Sequence, residues 1–322
     1  MNSIQKIEVP IEIRALKTAN VYSINGDYNY IVDTGMCENG YRQIANTIDL
    51  SRIDMCIISH LHIDHIGGAL YLEKNHNIPV YISKNDYDTI KNMVDNRQEY
   101  FSEYRNLMIS NGVPEELFSN ITEGNPVMKF MDYYASLNLN IIGNMAMKDT
   151  DIIDVPGHSP GSVAIYLKDI RAMVTGDHVL KNISPNISVY RNNVDYLGMY
   201  IESLKKIQNY DTEIAYPGHR DTFTNFAERI DQIIQHHEKR MYKISLELNT
   251  WKNAFELASS IAWSRGRKMD DMNNMEKNFA ILETVAHLVH MERTGKIDSK
   301  YSGETILYHS IAGQFPPNQQ VD

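Results

Sequence analysis

Three histidines and an aspartate fall within six residues, in the run His60-Leu61-His62-Ile63-Asp64-His65, directly behind the apolar stretch Met55–Ser59. The unbroken apolar run reads as a buried strand. A polar cluster of this density at the end of such a strand is hard to explain as packing. Neutral imidazole nitrogen suits a zinc ion, and aspartate adds a harder oxygen donor. On a strand-to-helix turn, the close spacing lets alternate side chains point at two neighbouring points in space. The cluster therefore predicts a metal centre at a strand end.

The surrounding pattern is α/β. Ile11–Leu16, Val21–Ile24 and Tyr28–Val32 read as strands, the last two joined by the turn Asn25-Gly26-Asp27. Tyr41–Ile48 and Gly67–Lys74 read as helices and Val80–Ile82 as a strand. Repeated strand–helix alternation of this kind argues against an all-helical chain. Residues 83–143 break the rhythm with a helical stretch rich in Tyr, Phe and Met. Those side chains line a pocket for an apolar acyl chain, pack a core of their own, or make a dimer contact. Strands resume at Ile152–Val155, Val163–Leu167 and Ala172–Thr175. A helix over Asp195–Gln208, a strand at Glu213–Tyr216 and a long helix over Asn225–Asn249 follow. The tail reads as two helices, Phe255–Ala262 and Met275–Met291, then short strands at Gly295–Ile297 and Thr305–Tyr308. These patterns divide the chain into residues 1–237, with an insert over 83–143, and residues 238–322.

Charge narrows the function classes. The 322 residues carry 31 Lys and Arg against 41 Asp and Glu, a formal charge of −10. Residues 238–313 hold eleven basic and ten acidic side chains, so nearly all of that excess lies in the first part. An acidic main domain opposes a phosphate-backbone clamp. Cys37 and Cys56 are too few for a disulfide scaffold and fit a reduced, cytoplasmic setting. The start has no basic region leading into an apolar run, so no signal peptide is expected, and no stretch is apolar enough to span a membrane.

The H-x-H-x-D-H run resembles that of the metallo-β-lactamase fold hydrolases, and later elements follow in that family's order. Pro156-Gly157-His158-Ser159-Pro160-Gly161-Ser162, Thr175-Gly176-Asp177 and Pro217-Gly218-His219 each follow a strand. The resemblance covers residues 11–235. It implies a four-layered αββα sandwich and two divalent ions per chain, zinc first, with iron or manganese as alternatives. His60, His62 and His158 would bind one ion and Asp64, His65 and His219 the other, with Asp177 bridging. Asp64 and Asp177 would be the catalytic carboxylates. Aspartate at 177, where true β-lactamases of this fold carry cysteine, points away from antibiotic hydrolysis. It points toward the glyoxalase II, lactonase and ribonuclease Z branches.

Asp33, in Asp33-Thr34-Gly35, resembles the family's D-T-G, which supports the metal loop; alternatively it is a turn aspartate. His178, beside Asp177, either faces the centre or packs. Asn186 and Tyr190 follow on a loop where an amide or phenol would steady an oxyanion, or simply form a turn. His76, His236, His237, His287, His290 and His309 read as non-ligands. Arg265, Arg267 and Lys268 form a small basic group suited to RNA or a coenzyme A tail, or are a solvated loop. The tail resembles the winged-helix domain of a thioesterase-like subgroup. The expected function is hydrolysis of a small-molecule ester, a thioester or lactone, by a hydroxide held between two metals. A single-strand-specific endoribonuclease using the same centre is the alternative. The expected partner is a small-molecule substrate, with a homodimer compatible and RNA the only nucleic acid in view.

Overall fold

A computed structural model describes residues 1–13, 16–123, 125–143, 145–263, 266–311 and 313. Along the chain run β1 (Ser3–Pro10), β2 (Thr18–Asn25), β3 (Asn29–Val32), α1 (Cys37–Thr47), β4 (Met55–Ile57), α2 (Ile63–Ile66), α3 (Ala69–His76), β5 (Val80–Ile82) and α4 (Lys84–Asp95). Next come α5 (Arg97–Ser110), α6 (Glu115–Glu123), α7 (Pro126–Lys129), α8 (Met131–Ala135), β6 (Leu139–Ile141), β7 (Thr150–Asp154), β8 (Val163–Leu167) and β9 (Ala172–Gly176). The chain continues through α9 (Tyr196–Gln208), β10 (Ile214–Pro217), α10 (Phe226–Glu247), α11 (Ala254–Ser260), α12 (Asn274–Arg293), β11 (Ile297–Ser302) and β12 (Thr305–Ser310).

Two compact units form. The first comprises Met1–Asp95, Phe130–Pro185 and Glu202–Ile230, the second Asn96–Lys129, Asn186–Ile201 and Asp231–Asp322. The second unit thus draws on the middle of the 83–143 stretch as well as the tail, while α4 and α8 belong to the first.

The first unit holds two sheets. One runs in the order β1-β2-β3-β4-β5-β6, antiparallel from β1 to β3 and parallel from β3 to β6. The other runs β10-β9-β8-β7, parallel only between β10 and β9. They share one core. Tyr22, Ile24, Tyr30, Val32, Met55 and Ile57 of the first sheet meet Ile165, Leu167, Ala172 and Val174 of the second. The two-residue spacing within each strand is the strand period, which turns alternate side chains to one face. Each fully buried aliphatic side chain in such a core contributes about 1.5–3 kcal/mol of transfer free energy. Helix α1 packs on β1 and α4 on β6. Ser203 and Lys206 of α9 donate to the backbone carbonyls of Pro156 and Asp154 at 2.9 and 3.0 Å.

One strand is displaced from its expected place. The edge strand occupies Ser3–Pro10, paired with β2 over its whole length, rather than residues 11–16. Arg14 and Ala15 of that expected strand lie outside the described residues. Only Ile7 and Val9 of β1 are buried, and Pro10 sits at its end, where a missing N–H costs an edge strand little.

In the second unit, α5 packs on α6, and α11 and α6 pack on α12. Tyr104, Leu107, Met108 and Phe118 are buried there, so these side chains of the insert build a core. Capping boxes at Asn253/Glu256 and Asn273/Glu276 start α11 and α12. The order helix, helix, hairpin matches the sequence expectation, with β11 paired to β12 from Ile297 to Ser302. Among the described residues, no helix is long and apolar enough to cross a membrane.

Candidate metal centre

The histidine cluster begins three residues past β4, and four other strands of the first unit end beside residues of the same site. Asp33 follows β3, His158 lies beyond β7, Asp177 follows β9, and His219 lies just beyond β10. Three groups of candidate donors result: His60, His62 and His158; His60, His65 and Asp177; Asp64, His65 and His219. Within each group the donor atoms lie within 4.8 Å of one another. Asp177 lies between the outer groups. Its Oδ1 is 3.4 Å from His65 Nε2, while its Oδ2 is 3.3 Å from His219 Nε2 and 3.9 Å from His158 Nε2.

Hydrogen bonds behind the rings decide which nitrogen faces inward. His219 Nδ1 lies 2.7 Å from the Thr18 carbonyl, which only accepts, so that nitrogen carries the proton. His65 Nδ1 likewise donates to Asp33 Oδ2 at 2.8 Å. The Ser59 hydroxyl donates to Asp33 Oδ2 at 2.8 Å and lies 3.0 Å from His60 Nδ1, which completes a relay from His60 through Ser59 to Asp33. These three rings therefore turn Nε2 toward the centre, the arrangement of a ligating imidazole whose other nitrogen donates a hydrogen bond. The loops are tightly closed around these rings. A Cβ on Gly218 would stand 2.4 Å from Asp177 Oδ1 and 2.7 Å from His65 Cε1, so only glycine fits there.

The donor set fits divalent metal. His65 Nε2, His219 Nε2 and Asp177 Oδ1 are buried with no hydrogen-bond partner among the described residues. Buried polar atoms without partners are costly, and an ion would satisfy all three. Electrostatics agree. Burial holds His60 well below its usual range and lowers His62 to about 3, each joined by repulsion from neighbouring histidines, so both are neutral donors. Burial opposes charge on His219 as well, but Asp177 and Asp64 outweigh it and raise the ring to about 10. Asp64 is held at about 2, since His65 and His219 overcome its burial. Cations are thus strongly favoured beside the carboxylates.

A pH dependence of stability follows for the metal-free protein. His62, His178 and His287 each have folded values lowered by burial to about 3, against 6.5 for a free histidine. Between those values the unfolded chain binds more protons than the folded one, so stability falls as pH drops from about 6.5 toward 3. His60 and His237 shift the same way. Asp86, raised by burial to about 7, and Glu283, also raised, act in the opposite sense but are outnumbered. His219 keeps its proton in both states below 6.5, so its stabilising term is constant in this window and fades only as pH rises toward 10. Calorimetric Tm of the chelator-stripped protein, stepped from pH 7 to pH 4, should fall throughout.

The remaining sequence candidates separate. Asp33 sits against the cluster, accepting from the Ser59 N–H at 2.7 Å in addition to the Ser59 hydroxyl and His65. His178 is buried beside Asp177 but belongs to none of the three groups. Asn186 and Tyr190 lie in the second unit. There the Asn186 amide donates to Glu283 Oε2 at 2.6 Å and its oxygen accepts from Ser188, while Tyr190 packs on Tyr196. Arg265 lies outside the described residues. Among the histidines read as non-ligands, His237 Nδ1 and His287 Nε2 pair at 3.1 Å within the second unit. Two further residues support the site, Thr34 from within the Asp33-Thr34-Gly35 motif and Asp86, which no sequence signal marks. The Thr34 hydroxyl donates to the His65 carbonyl at 2.7 Å, and Asp86 is a buried acceptor in the first turn of α4. A lone Asp at a helix start is too common a signal to single out.

A family model described as the metallo-beta-lactamase superfamily matches residues 16–219. A nematode protein named "Beta-lactamase-like protein 2 homolog", from Caenorhabditis elegans, is 24% identical over 69% of this chain, which spans 65% of that protein's length. A protein of Emericella nidulans named "Atrochrysone carboxyl ACP thioesterase" is 22% identical over 79% of this chain and 68% of its own. Among solved structures, a metallo-beta-lactamase family protein from Thermus thermophilus superposes with a TM-score of 0.75, covering 96% of this chain and 98% of that one at 21% identity. The two-sheet sandwich and the ordered His and Asp motifs lie largely within the matched residues, and the chain belongs to the metallo-beta-lactamase superfamily.

Proposed function

We propose that this chain is a dinuclear metallo-hydrolase that cleaves a thioester or lactone of a small molecule. The observation that carries this reading is the position of Asp177, whose two oxygens face histidines of both outer donor groups. His60, His62 and His158 would hold one ion, Asp64, His65 and His219 a second, and Asp177 would touch both. Bound there, two divalent ions supply Lewis acidity and bring water within reach of deprotonation at neutral pH.

The chain's own contribution is preorganisation. Nδ1 protons placed on Thr18, Asp33 and Ser59 keep three rings in the ligating tautomer without rearrangement. Asp177 and Asp64, held ionised, offset the charge of the ions in a buried site. The thioester preference is supported by the name of the fungal relative. Hydrolysis of a small molecule rather than RNA is also supported by the acidic balance of residues outside 238–313, which does not favour a nucleic-acid backbone.

The test is a panel of acyl-CoA, acylglutathione and lactone substrates, with the zinc-loaded protein and free thiol or acid release as readout. Turnover of at least one class, abolished by chelator and restored by added Zn2+, is expected. No turnover across the panel, together with cleavage of single-stranded RNA that disappears in Asp64→Ala, would replace this reading with phosphodiester hydrolysis.

A further inference from the structure

Asp86 belongs to none of the donor groups, yet its side chain is fully buried. It lies in the first turn of α4, directly behind β5. Its Oδ2 accepts from the Leu61 backbone N–H at 2.9 Å and from the Ser159 hydroxyl at 2.8 Å. Its Oδ1 accepts from the Gly161 backbone N–H at 2.7 Å. Leu61 stands between His60 and His62, and Ser159 and Gly161 belong to the turn that carries His158. One carboxylate therefore ties the two loops that supply the first donor group. Neither loop has slack around it. Ser162 Oγ lies 2.7 Å from Ser159 Oγ, and the Tyr134 hydroxyl donates to the Leu61 carbonyl at 2.8 Å. A Cβ on Gly161 would come within 2.4 Å of the Asp86 nitrogen.

We propose that Asp86 is a positioning residue. It sets the separation between the His60/His62 loop and His158, and so the metal affinity of that group, while leaving Asp64, His65 and His219 untouched. The inference rests on the metal-ligand reading above. Three hydrogen bonds from two loops converge on the two oxygens of one buried carboxyl group, and a buried donor that loses its acceptor is costly. Leu61 and Gly161 are both buried, so their N–H groups have no solvent to turn to if this acceptor is lost.

Asp86→Asn tests it with little change of shape. A carboxamide has one acceptor oxygen, so its NH2 must confront either the Gly161 N–H or the Leu61 N–H and Ser159 hydroxyl. Stepwise Zn2+ titration against a chromophoric chelator reads the two binding events in wild type and variant. One step should weaken about 10- to 100-fold, the usual effect of removing a partner behind a ligand, with the other changing less than about threefold. Equal weakening of both steps, or of neither, overturns the proposal, because a merely structural carboxylate would not divide them. If Asp86→Asn does not fold, Ser159→Ala removes one of the three donors. It should weaken the same single step by a smaller factor, and unchanged binding would overturn the proposal. Wild-type protein that binds no metal would sink the hydrolase reading itself. Two wild-type ions with an unaltered variant would sink only the role of Asp86.

Discussion

Asp177→Asn should lower kcat/KM at least about 1000-fold, equivalent to about 4 kcal/mol of transition-state stabilisation, and reduce bound metal per chain. The carboxylate presents one oxygen 3.4 Å from His65 Nε2 and the other 3.3 Å from His219 Nε2. The amide replaces one of those oxygens with a donor that cannot ligate, and it removes the negative charge. A second readout follows without any substrate. Burial lowers both His65 and His219, and Asp177 is the foremost influence raising them against it. In the metal-free variant both rings should therefore titrate at lower pH, as measured by NMR of the imidazole protons. A variant with full metal content and kcat/KM within about tenfold of wild type would remove Asp177 from the chemistry.

Asp33→Ala should be the most destabilising change near the centre. Asp33 is buried and accepts from the Ser59 N–H, the Ser59 hydroxyl and His65 Nδ1. Alanine leaves those donors without an acceptor, at about 1–3 kcal/mol for each buried group, so a total loss of about 3 kcal/mol or more is expected. Denaturant unfolding of the metal-free protein isolates this term, because bound metal would add its own stabilisation by mass action. Metal affinity should fall as well, since His65 loses the partner that sets its tautomer. Asp33→Asn keeps one acceptor and should recover part of the stability. Unfolding midpoints indistinguishable from wild type in both variants would reduce Asp33 to a turn residue.

The donor cluster is legible in the amino-acid sequence because its parts are local. His60 to His65 occupy one strand-to-helix turn, and His158, Asp177 and His219 each sit in a short Gly-containing turn behind an apolar strand. Spacing within a turn is a property of the backbone, so adjacent donors reveal themselves in adjacent letters. The strands that deliver them are legible for the same reason, as with Ala172–Gly176, whose five residues are all buried. The edge strand is not. Ser3–Pro10 is half exposed and polar at alternate positions, so its apolar signal is faint beside that of the neighbouring residues. Strand β6 is only Leu139–Ile141, exposed at Asn140 and Ile141, and three residues are too few for alternation to stand out.

Local chemistry also explains why Asn186 and the 83–143 stretch admit more than one reading in sequence. An amide on a loop after a candidate ligand suits an oxyanion role by position alone. Glu283, far along the chain, and Ser188 instead take up its donor and acceptor. The aromatic side chains of the insert suit a pocket or a core equally well by composition. Burial of Tyr104 and Phe118 and the packing of α6 on α12 assign them to a core.

By itself, the sequence determined the donor types, their order and their places at strand ends, because those follow from bonding within a few residues. The tertiary structure decided which donors share a point in space and what stands behind each ring. Thr18 meets His219, Asp33 meets His65, and Asp86 joins Leu61 to Gly161 only when the sandwich closes. Hydrogen-bond partners separated by tens to hundreds of residues leave no periodic trace in a chain. Their pairing is set by the packing of the whole core, not by the preferences of any segment.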